Sequence, residues 1–168
     1  MPLVPMSELL APALAAGYAV PAFAAWNAEV TRTILAVAAE LRAPVILMHS
    51  VPDFEMLPPP AFAGVVRVLA EESPAYASLH LDHGESLDHV RMCLGAGYTS
   101  VMLDFSARPF EENVAGLRET VALARPLGVT VEGEIGHVGR VDDLSIEGEK
   151  TSTLTAVEEA VAACAPSE

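Results

Sequence analysis

Five short apolar runs recur along the chain at intervals of roughly 25–35 residues, and each ends in or just before a polar residue. They occupy residues 20–25, 44–49, 76–84, 99–104 and 129–134. Helical patterns fall between them, at 28–41, 62–72, 87–94 and 110–124, after a short helix over 7–16. Asn27 stands as an N-cap before the second helix, and Gly17 and Gly97 stand where helices must stop. Strand followed by helix, repeated, predicts parallel strands covered by helices. The strand ends carry Asn27, Ser50, His83, Asp104 and Glu134 in succession. A (β/α)8 barrel gathers such ends on one rim, whereas a doubly wound sheet does not.

Only five strands can be found, with a polar stretch and one last helix over 156–164 after them. A barrel closes at eight. Five strands would leave two apolar edges open. The expectation is therefore one TIM-barrel domain over residues 1–168, supplying about the first five β/α units and lacking the rest.

Charge and composition remove several classes of function. The formal net charge is -14, from nine Lys and Arg against 23 Asp and Glu. No basic stripe exists to neutralise phosphates, so a nucleic-acid partner is excluded. No apolar stretch approaches the length of a membrane span, and the N-terminus lacks a basic leader. Cys93 and Cys164 lie far apart and read as two reduced thiols of a cytoplasmic protein.

The chemistry concentrates in residues 76–84. Ala77, Leu79 and Leu81 alternate with Ser78, His80 and Asp82, so the strand turns one polar face inward. His83 at its end suits a metal, since neutral imidazole binds zinc. Asp82 is either a general acid and base or a buried acceptor that orients its neighbours. Asp104 and Glu134, on the next two strand ends, are placed to bind or orient a cation. His49 reads as satisfying a local carbonyl, His89 as a surface residue, and His137 as lying in the loop after Glu134. A Schiff-base mechanism needs a lysine on a strand, and the single lysine is Lys150 in the polar stretch. No GxSxG elbow, P-loop or GxGxxG occurs. Carbanion chemistry on a carbonyl compound then calls for a metal as electron sink.

These residues resemble a known family. The stretches are Pro21-Ala-Phe with Trp26-Asn27-Ala-Glu29, Ala43-Pro-Val-Ile-Leu with Ser50, and Leu79-His-Leu-Asp-His-Gly-Glu-Ser86. Gly97-Tyr-Thr-Ser-Val-Met-Leu-Asp104, Pro109-Phe-Glu-Glu-Asn113 and Val131-Glu-Gly-Glu-Ile-Gly136 complete the set. Together they resemble the class II, zinc-dependent ketose-bisphosphate aldolases, which act on fructose or tagatose 1,6-bisphosphate. The likeness runs from about residue 5 to about residue 155.

The resemblance implies a cytoplasmic lyase of carbohydrate metabolism that cleaves a sugar bisphosphate into dihydroxyacetone phosphate and glyceraldehyde 3-phosphate. It implies a Zn2+ cofactor, a second divalent or monovalent cation position, and a homo-oligomer, dimer or tetramer. His83 takes the place of a zinc ligand, Asp82 of the acid/base at the C4 hydroxyl, and Asp104 and Glu134 of carboxylates near the second cation. Asn27 and Ser50 match positions close to the substrate.

Two departures stand out. Asp142 falls where the family's mobile loop carries a catalytic glutamate, and Phe105 stands where a small residue is usual. The family's other two zinc histidines would lie beyond residue 168, so residues 1–168 alone are expected to be inactive. The other reading is a non-catalytic, truncated or degenerate homologue that serves as an assembly partner.

Overall fold

The computed structural model describes residues 3–136 and 155–164. A first helix, α1 (Met6–Ala16), precedes the strand β1 (Ala22–Ala24) and helix α2 (Ala28–Leu41). Strand β2 (Val45–Ser50) runs into a 3-10 turn (Val51–Glu55) and helix α3 (Pro59–Glu71). Strand β3 (Ala77–Gly84), helix α4 (Leu87–Ala96), strand β4 (Ser100–Leu103) and helix α5 (Phe110–Ala124) follow. A 3-10 turn (Arg125–Leu127), strand β5 (Thr130–Gly133) and helix α6 (Val157–Cys164) complete the described elements.

Local sequence explains most of these boundaries. Asn27 Oδ1 accepts a hydrogen bond from the Val30 amide at 2.8 Å and starts α2. Ser86 Oγ accepts from the His89 amide at 3.2 Å and starts α4. Gly17 and Gly97 take left-handed φ values of 73° and 87° at the ends of α1 and α4, where a side chain would be strained. The prolines 58–60 precede the helical pattern at 62–72 but do not form a separate loop. They open α3, because proline suits a first helical turn whose amide hydrogens have no partner inside the helix.

All strand pairings are parallel, and the sheet order is β1-β2-β3-β4-β5. This is the arrangement of the first five units of a (β/α)8 barrel. Among the described residues β1 and β5 each have a single neighbouring strand. The two faces of the sheet differ as the alternation predicted. Val45, Leu47, Leu79, Leu81, Val101 and Leu103 point outward and pack beneath Leu35, Phe62, Val66 and Val90 of the helices. Burying one such aliphatic side chain is worth about 1.5–3 kcal/mol, so this layer supplies most of the cohesion.

The inner face carries Ile46, Met48, His80 and Glu132, which line an open cavity of about 390 Å³ together with Met6 and Asp82. Helix α1 lies across that face near the strands' N-terminal ends. Its Met6 and Leu9 pack on Ile46, and the Ser7 amide donates to Thr130 Oγ1 at 3.1 Å. The C-terminal ends of the strands form the opposite rim.

The bulky Phe105 is accommodated by the absence of a side chain on α5. A Cβ at Gly116 would lie 2.7 Å from the Phe105 ring, so glycine there gives the ring its space. Phe105 is buried against the outer layer and does not intrude on the rim.

Candidate metal centre at the C-terminal rim

Strand β3 does not run straight to its end. Its pairing with β4 shifts between Leu81 and Gly84, a bulge that puts His83 in the left-handed region at φ 47°. Histidine tolerates that region better than a β-branched residue, yet the conformation still costs energy. Gly84 makes it feasible: a Cβ there would meet the Met102 carbonyl oxygen at 2.6 Å. The bulge re-aims the His83 ring toward β4, as bulges beside active sites commonly do.

His83 Nδ1 lies 2.7 Å from Asp104 Oδ2. Asp104 in turn accepts from the Ser106 amide at 3.0 Å and the Ser106 hydroxyl at 2.6 Å, both on Oδ1. Glu134 joins them from the residue after β5. One potential ligand atom from each of His83, Asp104 and Glu134 lies within 4.8 Å of the other two. Three residues separated by 21 and 30 positions in the chain thus meet at three successive strand ends.

The electrostatics of the group are those of a cation site. Burial opposes a charge on His83, but the Asp104 hydrogen bond and the charges of Asp82, Asp104 and Glu134 outweigh it and raise the imidazole pKa. Burial pushes Asp104 upward, and the hydrogen bonds from Ser106 and His83 more than offset that, so its pKa is lowered. One imidazole nitrogen and two carboxylates gathered this closely form a donor set suited to zinc or a harder divalent ion.

Asp82 sits beside the group on the inner face. It faces Ser50 across the β2–β3 ladder, and Ser50 Oγ donates to Asp82 Oδ2 at 2.9 Å. The Ser50 hydroxyl thus holds Asp82, whereas resemblance alone placed Ser50 near a substrate. Asn27 is likewise occupied, as the cap of α2. Asp142 and His137 lie outside the described residues.

Several contributors were not foreseen. His80, deep in the inner face, has Nδ1 2.9 Å from Ser100 Oγ and Nε2 3.4 Å from Glu132 Oε2. That pair is not an ion pair at neutral pH. Burial pulls His80 down to about 4, against the charge of Asp82, so the ring stays neutral. Burial and the charges of Asp82 and Glu134 push Glu132 upward, against the pull of His83. The spacing of Glu132 in β5 and Glu134 just after it, two residues apart in an extended stretch, was the available signal. Asn113 of α5 donates to the Glu134 carbonyl at 2.7 Å, a contact no local pattern announces.

Two histidines depart from the sequence reading. His49 is fully buried and bonds to the Tyr98 hydroxyl at 2.6 Å, not to a carbonyl. His89 is half-buried, with its ring edge-on to Phe54 at 5.7 Å.

Comparison with known proteins gives this rim a family context. The sequence profile of the family described as fructose-bisphosphate aldolase, class II, matches residues 4–167. The chain belongs to this family. A probable fructose-bisphosphate aldolase of Bacillus subtilis is 43% identical over 157 residues, covering 88% of this chain and 53% of the relative. A fructose-bisphosphate aldolase of Thermus caldophilus is 40% identical over 153 residues, covering 91% and 50%. The crystal structure of the YdjI aldolase from Escherichia coli superposes with a TM-score of 0.82 at 28% identity, covering 96% of this chain and 60% of that one. The chain thus spans about half the length of the curated relatives it matches. No helix among the described residues of this class II aldolase chain is long and apolar enough to cross a membrane.

Proposed function

We propose that this chain supplies the proton-transfer and part of the metal-binding machinery of a zinc-dependent aldolase. The substrate class is a ketose 1,6-bisphosphate of fructose or tagatose type, and the products are dihydroxyacetone phosphate and glyceraldehyde 3-phosphate. The observation that carries the reading is the convergence of His83, Asp104 and Glu134 beside Asp82 at three successive strand ends. In a parallel barrel that rim is where reacting groups collect.

Each residue then has a task. Asp82, held by Ser50, takes the proton from the C4 hydroxyl as the C3–C4 bond breaks. The C4 oxygen becomes the aldehyde carbonyl, and the electron pair of the broken bond stays on C3, next to the C2 carbonyl. Zinc held by His83, with Asp104 and Glu134 nearby, would supply the Lewis acidity that makes the pair tolerable on that carbon. A proton returned to C3 completes dihydroxyacetone phosphate, and resemblance assigns that transfer to Asp142. Resemblance assigns Asn27 and Ser50 to contact with the substrate.

A single imidazole among these residues leaves a catalytic zinc under-ligated, since three protein ligands are usual. The reading therefore includes further strands, with further ligands and phosphate donors, in polypeptide outside this sequence. It also includes a cytoplasmic setting and assembly into a homo-oligomer, both resting on family likeness.

The test is cleavage of fructose and tagatose bisphosphates by the full-length protein, before and after chelation and with zinc restored. Chelator-sensitive turnover that falls at least ~100-fold in Asp82→Asn is expected. Turnover that survives chelation, or none on either sugar in the zinc-loaded protein, overturns the reading. Residues 1–168 alone are expected to show no turnover.

A further inference from the structure

We infer that Asn113 is a positioning residue that sets the Glu134 carboxylate into the metal group from behind. The inference rests on the proposed metal-dependent function. Its ground is the way α5 holds the end of β5.

Glu134 follows the last ladder residue, since the β4–β5 register ends with Leu103 opposite Gly133. It stands at the end of a strand with one described neighbour. Asn113 reaches that end from α5: its Nδ2 donates to the Glu134 backbone carbonyl at 2.7 Å. The residue is 3% exposed, and its Oδ1 is buried with no partner among the described residues. A buried amide that uses its donor and leaves its acceptor orphaned is a poor choice for packing alone. An apolar side chain of similar volume would serve packing better. The donor is the feature in use.

A second contact on the same helix face acts with it. Leu117, one turn beyond Asn113, presses on Gly133, where a Cβ would lie 2.6 Å from its side chain. Helix α5 thus clamps two consecutive residues of the β5 end, by close packing at Gly133 and by a hydrogen bond at Glu134. Partners of this kind, one shell behind a ligand, typically tune metal affinity or activity by 10–100-fold.

The test is a double-mutant cycle on the full-length protein, read as Co2+ and Zn2+ affinity by calorimetry together with kcat and KM. Asn113→Leu is expected to weaken metal binding roughly tenfold or more, lowering kcat with KM little changed. Asn113→Ser leaves room for a water to reach the carbonyl and is expected to recover part of the loss, and it serves should the leucine variant not fold. With Glu134→Gln already present, either Asn113 change is expected to alter affinity less than about twofold, because its effect runs through Glu134. Should Glu134→Gln weaken metal binding while both Asn113 variants leave it intact, or should the two effects simply add, the positioning role is overturned and the metal centre stands. A wild-type protein that takes up neither ion removes the proposed function and this inference together.

Discussion

Ser50 and Asp82 face each other at the ends of adjacent parallel strands, and the serine hydroxyl donates to the aspartate at 2.9 Å. For the proposed role of Asp82 as a base, a fixed rotamer is an advantage, and this hydrogen bond provides it. Replacing Ser50 by alanine is expected to lower kcat of the full-length protein about tenfold. A loss confined to KM would instead assign Ser50 to substrate binding alone. Steady-state kinetics on the sugar bisphosphate separates the two.

The His83 bulge depends on Gly84. Gly84→Ala would drive a methyl group onto the Met102 carbonyl, which is backbone and cannot turn aside. Overpacking of this kind costs about 1–3 kcal/mol. Chemical denaturation is expected to show that loss, and metal affinity is expected to fall with it, because the bulge aims His83. Unchanged affinity would show that the ring direction does not depend on the bulge.

His49 predicts an acid sensitivity unrelated to the metal. Burial lowers its pKa from 6.5 to about 4, with the charge of Asp53 acting the other way. As pH falls from 6.5 the unfolded chain takes up the proton and the folded chain does not, so the stability present above 6.5 is progressively lost. The loss levels off below about 4, once the folded form is protonated too. Between pH 7 and pH 5 this amounts to about 2 kcal/mol. His49→Gln keeps a partner for Tyr98 without titrating, and is expected to flatten the unfolding midpoint over that range. An unchanged pH profile would place the acid sensitivity elsewhere.

Metal should appear in the stability of the protein as well as in its activity. A ligand at 100 times its Kd stabilises the folded state by about 2.7 kcal/mol. Zinc is expected to raise the unfolding temperature, chelator to reverse the shift, and Asp104→Asn to shrink it. A shift of full size in His83→Ala would place the ion elsewhere.

Much of this was legible in the sequence. The period-two alternation in residues 76–84, the caps at Asn27 and Ser86, and the polar residue closing each apolar run follow from local rules of backbone and burial. They fix the order of strands and helices and require that the strands be parallel. The family motifs are likewise strings of neighbours, which is why the stretch around Asp82 and His83 could be recognised before any contact was known.

What the sequence could not decide is which groups touch across the sheet. The Ser50 hydroxyl on Asp82, Glu132 on His80, and Tyr98 on His49 each join residues 32 to 52 positions apart. Such contacts depend on strand register and on the bulge before Gly84, and a one-residue change in register would turn every side chain of a strand to the other face. Asn113 makes the point most directly. Nothing in its neighbourhood distinguishes it from a helix residue facing water, and only the packing of α5 on β5 brings its amide to Glu134. Local propensity chose the elements, and the geometry between them chose the site.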